Sequence, residues 1–224
     1  MRRGLTRPMT VLLAVSGLLL VTYASLAVGA AHHQVLPLDE HVRDWVLPMR
    51  GGVFDRPMAM ISLLGEPAGL APLILLGSAL VWRASRRWAL LLPALMAGTG
   101  ALQLIGKWAA DRPRPNAAPW GFPSGHVLSL AVFFGVLAFL LVTVAQGRRR
   151  WRGLACAGCG VVVGMVAVSR VYLDVHWLTD VIAGFALGTA YLLLAIWTTQ
   201  VVAFPPTPRS TPDASPQLPP VPGA

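Results

Sequence analysis

Residues 127–147 read VLSLAVFFGVLAFLLVTVAQG, and Arg148, Arg149 and Arg150 follow directly. This stretch carries no charged side chain and is as long as the roughly 20 apolar residues that a helix needs to cross a bilayer core. It lacks the alternation of polar and apolar residues that a transmembrane β-strand requires. The stretch therefore predicts a membrane-spanning α-helix that ends at a basic cluster.

Five other stretches of similar character occur along the chain. They are residues 8–31, 57–82 (interrupted early by Glu66), 88–106, 153–169 and 178–204. The stretch 153–169 is short, so it spans only if Arg170 lies at the water boundary or the helix runs nearly upright. The chain is 55% hydrophobic and 12% charged with a mean hydropathy of +0.64, which is too apolar for a soluble globule. We expect an all-α polytopic membrane protein, with six transmembrane helices in a bundle over residues 1–204.

The arginines predict the orientation of the bundle. With a cytoplasmic N-terminus, the inner side carries eleven of them: Arg2, Arg3, Arg7, Arg83, Arg86, Arg87, Arg148, Arg149, Arg150, Arg152 and Arg209. The outer side then has seven basic and eight acidic residues. The positive-inside rule therefore predicts that both termini are cytoplasmic. The net charge of +9 lies in short clusters between apolar runs, so we do not expect a nucleic acid partner.

Two segments lie outside the predicted spans. Residues 32–56 mix apolar and charged side chains, which suits a helix on the outer membrane surface or a partly buried connector. Residues 205–224 contain eight prolines and almost no charge, which predicts a disordered cytoplasmic tail. The sequence Val-Gly-Ala at 28–30 also resembles a signal-peptidase site, so cleavage of the first span stays an alternative.

Three segments near the outer ends of the spans contain the side chains that could take part in catalysis or ligand binding. They are KWAADRPRP at 107–115, PSGH at 123–126 and SRVYLDVHWLTD at 169–180. A single loop joins the first to the second, and two spans separate the second from the third. All three segments therefore reach the same side of the membrane.

The first two segments are suited to holding an anion. Lys107 is the only lysine in the chain, beside seventeen arginines, and an ammonium differs from a guanidinium in reach and hydrogen-bond geometry. Ser124 and Gly125 precede a span, where unpaired backbone N–H groups and the positive end of the helix dipole attract anions. The alternatives are a snorkelling lysine and an ordinary helix cap.

The third segment contains a histidine and a carboxylate at i, i+4. This spacing places His176 and Asp180 on one face of a helix that opens the sixth span. The carboxylate can then fix the imidazole tautomer and leave the other ring nitrogen free to attack. The alternative is a pair that only stabilises the helix end. Together with Arg114, Arg170 and His126, this pair matches the needs of displacement at phosphorus: cations, an in-line nucleophile and an acid.

At these positions the chain resembles the type-2 phosphatidic acid phosphatase (lipid phosphate phosphatase) family. Residues 107–115 match K-x6-R-P, residues 123–126 match P-S-G-H, and residues 169–180 match S-R-x5-H-x3-D. The resemblance implies that His176 attacks phosphorus to give a phosphohistidine, that Asp180 orients it, and that His126 protonates the leaving oxygen and then activates water. It implies phosphate binding by Lys107, Arg114, Ser124, Gly125 and Arg170, with no metal and no cofactor.

The resemblance implies a lipid phosphatase of the cell membrane with its site on the extracytoplasmic face. The expected substrate is a lipid phosphate or diphosphate: undecaprenyl diphosphate or another polyprenyl diphosphate, phosphatidic acid, or phosphatidylglycerol phosphate. A lipid phosphotransferase of the same fold and a non-catalytic lipid-headgroup binding or transport protein are the alternatives. The composition favours a bacterial source, and the sequence leaves the oligomeric state open.

Five further polar or cysteine residues lie outside the predicted set of site residues. Cys156 and Cys159 lie among Gly and Ala, which is typical of small-residue helix packing. Glu66 indicates a polar break close to the site or to a lipid headgroup. Asp111 and Arg112 occupy variable positions of the first motif, so we expect them at most at the rim of the site.

Overall fold

The computed structural model describes residues 3–144 and 148–203, and these residues form helices joined by loops. The eight α-helices are α1 Arg3–Ala31, α2 Pro37–Val46, α3 Asp55–Ser62, α4 Pro67–Trp82, α5 Arg86–Ala110, α6 Gly125–Thr143, α7 Arg149–Tyr172 and α8 Leu178–Ala203. Short 3-10 helices at Leu47–Met49 and Leu63–Gly65 follow α2 and α3. The predicted tail at 205–224 lies outside the described residues.

Five of these helices (α1 and α5 to α8) are long and apolar enough to cross a membrane. The pair α3 and α4 passes the same test together, with a bend of 55° between Gly65 and Pro67, so the described residues contain up to six spans. This confirms the predicted all-α architecture. The predicted break at Glu66 lies at this bend, because Pro67 starts a new helix and Glu66 is extended.

The fifth predicted span was wrong in length. The helix α7 has 24 residues and includes both Trp151 and Arg170, so it measures about 36 Å at 1.5 Å per residue and need not run upright. The Arg170 side chain is buried within the protein and hydrogen-bonds Ser62. The apolar stretch in the sequence ends before the charged Arg170. The helix continues past Arg170, because its side chain has a hydrogen-bond partner inside the protein.

The helix α6 forms the centre of the bundle and packs against α5, α7 and α8, while α1 lies along α8. Val127, Leu130, Val132 and Val136 on α6 are fully buried, although they point in different directions around the helix. A helix that is apolar on every side belongs in the core of a bundle. By contrast α1 leaves most of its apolar side chains exposed, as a helix that faces lipid does.

The segment 32–56 contains the helix α2, and most of its side chains are exposed. Its Asp39 is buried, and Arg43 forms a two-point ion pair with Asp174 after α7, with N–O distances of 2.7 and 3.0 Å. The Tyr172 hydroxyl donates to the Met49 carbonyl at 2.8 Å. These contacts fix α2 against the ends of α7 and α8.

The crossing of α6 and α8 depends on glycine. A Cβ on Gly188 would lie 2.6 Å from the Leu128 carbonyl oxygen, and one on Gly184 would collide with the Ser124 carbonyl oxygen. Both obstacles are backbone atoms, so the helices would have to separate. By contrast, added Cβ atoms on Gly158, Gly160 and Gly164 of α7 meet nothing within 4 Å. These glycines do not mediate close helix packing, although the Cys156 Sγ atom lies 3.7 Å from the Ala138 carbonyl oxygen of α6.

We expect Gly188→Ala to destabilise the bundle, because overpacking costs about 1–3 kcal/mol. Gly160→Ala is the matched control, since it makes the same change in helix propensity without a steric conflict. The measurement is the midpoint of thermal unfolding in detergent. Equal midpoints for the two variants would contradict the assigned α6–α8 contact.

Candidate active site

The N-terminus of α6 begins with a buried serine, Ser124. The backbone N–H of Leu128 donates to the Ser124 carbonyl at 3.1 Å, so Ser124 is the N-cap residue, and its own N–H donates to the Asp180 carbonyl at 3.0 Å. The Ser124 side chain is fully buried, yet its hydroxyl has no hydrogen-bond partner. A buried hydroxyl without a partner is costly, so this oxygen is available for a ligand. A Cβ on Gly125 would collide with the end of the Gln103 side chain, which would have to move.

The N-terminus of α8 holds Asp180 in a fixed orientation. The helix begins at Leu178, and the Asp180 Oδ2 atom accepts from the Trp177 N–H at 2.9 Å. His176 therefore precedes the helix, and the expectation that it lies on the helix face was wrong. It still lies beside the carboxylate, with 3.6 Å between its Nδ1 and Asp180 Oδ2. This exceeds a hydrogen-bond distance, and such contacts in free enzymes are often long.

The His176 imidazole is 2% exposed and its Nδ1 has no hydrogen-bond partner. Burial lowers the pKa of His176 to about 4, since it disfavours the charged form. Asp180 opposes this shift in pKa, whereas the charges of Arg170 and Lys107 add to it. The ring is therefore neutral at neutral pH and keeps the lone pair that a nucleophile needs.

Arg112 lies behind Asp180 and not at the rim, which corrects the sequence-based expectation. Its guanidinium donates to Asp180 Oδ1 at 2.7 Å, to the Thr179 hydroxyl at 2.8 Å, to Asp39 Oδ2 at 3.0 Å and to the Gln34 carbonyl at 2.7 Å. Asp39 in turn accepts from the backbone N–H and the hydroxyl of Thr179, both at 2.8 Å. Arg112 thus holds Asp180 in place from the side away from His176.

The local backbone explains why Arg112 turns inward. The helix α5 ends at Ala110, and the chain reverses at its C-cap residue Asp111, which has the left-handed φ of 42°. The Gly121 N–H then donates to the Arg112 carbonyl at 2.7 Å, which closes the loop over the site. Motif spacing carried no signal for Arg112 or its partner Asp39, because their pairing depends on this loop geometry.

The second histidine has a carboxylate of its own. The Nε2 atom of His126 lies 3.0 Å from Glu66 Oε1, and the same oxygen lies 4.0 Å from a terminal nitrogen of Arg170. Arg170 also donates to the buried Ser62 hydroxyl. The prediction that Glu66 forms a polar break close to these segments is confirmed, while its contact with His126 was not foreseen.

The cations converge on the same region. Lys107, Arg114 and Arg170 all lie close enough to His126 to interact with it electrostatically, and so does His176. The Lys107 ammonium donates to the Trp120 carbonyl at 2.8 Å, which keeps it over the loop. The Nε atoms of Arg114 and Arg170 are buried without a hydrogen-bond partner. The three cations therefore lie close to the same histidine, where they can attract an anion.

The described residues contain no group of three or more His, Cys, Asp or Glu side chains placed to hold a metal ion. Positive charge at this site comes from Lys107, Arg114 and Arg170 instead. Such side chains can bind the oxygens of a phosphoryl group and stabilise charge that develops there. The arrangement is thus equipped for displacement at phosphorus by an imidazole.

The comparisons with known proteins agree with this chemistry. A model of the PAP2 superfamily matches residues 88–203. Phosphatidylglycerophosphatase B of Bacillus subtilis is 31% identical over 184 residues, which cover 79% of this chain and 90% of the relative. An undecaprenyl-diphosphatase of Sulfolobus acidocaldarius is 32% identical over 83 residues, which cover 37% of this chain and 35% of that protein.

A solved structure shows the same fold. The crystal structure of a transmembrane PAP2-type phosphatidylglycerolphosphate phosphatase from Bacillus subtilis superposes with a TM-score of 0.70 and 26% identity. The match covers 85% of this chain and 96% of that chain. It confirms the predicted helical membrane fold, which the bundle and its convergent motif segments had indicated. The chain belongs to the PAP2 superfamily and is a membrane lipid phosphatase.

Proposed function

We propose that this protein hydrolyses a lipid phosphate or diphosphate at the extracytoplasmic face of the cell membrane, through a phosphohistidine on His176. The observation that carries the proposal is a buried, neutral imidazole between a fixed carboxylate, Asp180, and a group of three cations. Few other reactions need a neutral nucleophile in such a positive environment. A phosphoryl group supplies the negative oxygens that these cations would bind.

In the first step the Nε2 atom of His176 attacks phosphorus. Asp180 faces Nδ1, so it would favour the tautomer with a proton on Nδ1 and the lone pair on Nε2. As the bond to phosphorus forms, positive charge develops on the ring, and the carboxylate stabilises it. The buried Arg112 supports this role because it keeps Asp180 oriented.

His126 would act on the opposite side of the phosphoryl group. It first donates a proton to the leaving oxygen of the lipid and then takes a proton from the water that attacks the phosphohistidine. During both steps Lys107, Arg114 and Arg170 would bind the phosphoryl oxygens. The Ser124 hydroxyl and the N–H groups at the start of α6, beginning with Gly125, would add neutral donors.

The lipid would reach this site from the side, through the space between α7 and α8. Two apolar cavities of about 420 and 550 Å³ lie along these helices, and both are lined by Ala167 and Val181. Ala167 lies one helical turn from Arg170, and Val181 adjoins Asp180. The open faces of Gly160 and Gly164 line the larger cavity. A lipid bound by its phosphate would therefore find apolar space for its chain.

The substrate that we favour is phosphatidylglycerol phosphate, which is a phosphate monoester. Undecaprenyl diphosphate is the second candidate. The relative named phosphatidylglycerophosphatase B matches along 90% of its length, whereas the relative named undecaprenyl-diphosphatase matches along 35%. Phosphatidic acid, which offers the same monoester group, is a further candidate. All three place an anionic phosphoryl group at headgroup level.

The extracytoplasmic assignment rests on the charge distribution. The site occupies the end of the bundle opposite the loop near Arg83 and Arg86 and the cluster at 148–152. These short basic segments belong on the cytoplasmic side by the positive-inside rule. The candidate site would then face outwards, with both termini in the cytoplasm.

We expect His176→Ala to lower phosphate release by at least about 10³-fold, because it removes the nucleophile. The assay measures phosphate from phosphatidylglycerol phosphate, undecaprenyl diphosphate and phosphatidic acid in detergent with EDTA present. His41→Ala, at an exposed position on α2, is the matched control. A near-normal rate in His176→Ala would rule out the covalent route. A phosphorylated second lipid in place of free phosphate would reveal a phosphotransferase.

The orientation is tested by cysteine labelling on intact cells. In a background with Cys156 and Cys159 replaced by Ala, a membrane-impermeant maleimide should label Asn116→Cys and leave Arg150→Cys unlabelled. Both positions are exposed, so accessibility within the fold does not distinguish them. The reverse labelling pattern would place the site on the cytoplasmic side.

A further inference from the structure

The break between α3 and α4 places a carboxylate at the site. Glu66 is extended, with φ −73° and ψ 153°, and holds the N-cap position of α4, where a carboxylate interacts favourably with the helix dipole. Its side chain makes no capping hydrogen bond. It points instead to the start of α6 and the end of α7. The Glu66 carboxyl group thus interacts with His126 and Arg170 and not with the N-terminus of its own helix.

One oxygen of Glu66 bridges the two elements. Oε1 lies 3.0 Å from His126 Nε2 and 4.0 Å from a terminal nitrogen of Arg170. The same guanidinium is tied to Ser62 at the end of α3. The segment 62–66 therefore contacts both a cation and a histidine assigned to the proposed reaction.

The position of the segment relative to His126 is fixed by close packing. A Cβ on Gly65 would lie 2.5 Å from His126 Cδ2 and 2.6 Å from Cγ, so the imidazole rests directly on the backbone of Gly65. This packing restricts the ring to an orientation that points Nε2 at Glu66. The Glu66 side chain is 44% exposed, so its carboxyl group keeps contact with water.

We propose that Glu66 is a positioning residue for His126: it accepts the Nε2–H hydrogen bond and thereby directs Nδ1 toward the reacting phosphoryl group. The proposal rests on the proposed function, in which His126 is the acid and base. A carboxylate that fixes a histidine tautomer also stabilises the imidazolium that forms when Nδ1 takes a proton. Each histidine then has a carboxylate of its own, Asp180 for His176 and Glu66 for His126.

The two steps of the reaction conserve electrons and protons. The His176 lone pair forms the N–P bond, the P–O bond to the lipid breaks, and the leaving oxygen keeps those electrons and takes the proton from His126 Nδ1. A water oxygen then bonds to phosphorus, the P–N electrons return to His176, and the water proton passes to His126 Nδ1. The net reaction converts ester and water to alcohol and phosphate. Glu66 keeps its hydrogen bond to Nε2 throughout and transfers no proton.

This role makes the effect of losing Glu66 depend on the leaving group. An alkyl oxygen of a lipid must be protonated as it leaves, whereas the aryl oxygen of 4-nitrophenyl phosphate leaves without a proton. Formation of the phosphohistidine from the aryl ester therefore needs no acid, but its hydrolysis still needs the base. A residue that only supported the fold would affect both substrates and both steps alike.

The experiment compares Glu66→Gln and Glu66→Ala with wild type and with the control Glu40→Gln, at an exposed acid on α2. We expect both Glu66 variants to lose about 10- to 100-fold in kcat on phosphatidic acid, as part of the acid–base contribution. With 4-nitrophenyl phosphate they should form the phosphoenzyme at the wild-type rate in rapid-quench assays and then accumulate it. Glu66→Asp should recover part of the lost rate.

An equal loss on both substrates, without accumulation of phosphoenzyme, would overturn the positioning role, and so would unchanged kinetics. Failure of the proposed function gives a different result. In that case wild type forms no phosphohistidine and His176→Ala keeps its activity. The two hypotheses are therefore separated by the behaviour of the His176 variant.

Discussion

The buried ion pair between Arg112 and Asp180 is the interaction on which the rest of the site depends. Neither side chain reaches water to any extent, and Asp39 lies 3.0 Å from the same guanidinium, so Arg112 pairs with two buried carboxylates. Removing one partner of such a pair leaves a buried charge without compensation, which costs about 3–5 kcal/mol. The pair joins the loop after α5 to α2 and α8. It thereby sets the position of Asp180 beside His176.

The fold places polar chemistry at one end of an apolar bundle. The centre of the bundle, around α6, contains tightly packed apolar side chains, and α6 and α8 approach closely at Gly184 and Gly188. This close crossing brings the start of α6 against the start of α8, where the Ser124 N–H meets the Asp180 carbonyl. Packing in the membrane and geometry at the site are therefore linked. Apolar cavities beside α7 leave the same end open to lipid.

The sequence predicted the helical membrane fold and the break at Glu66, because hydropathy and charge set where helices enter and leave a bilayer. It did not predict where α7 ends, since Arg170 is satisfied by Ser62 on a distant helix. It placed His176 on a helix that begins two residues later, because Asp180 caps that helix from within. The position of Arg112 depends on a left-handed turn at Asp111, which no motif encodes. The sequence thus determined the spans, and tertiary contacts determined the details of the site.

The structure predicts that the ends of four helices bind a phosphoryl group against His176. A structure of the protein with orthovanadate tests it most directly, because this oxyanion adopts the five-coordinate geometry of phosphoryl transfer. The account predicts vanadium bonded to His176 Nε2, oxygens held by Lys107, Arg114 and Arg170, and the Ser124 hydroxyl newly hydrogen-bonded. Vanadate bound elsewhere, or at this position with His176 turned away, would contradict it.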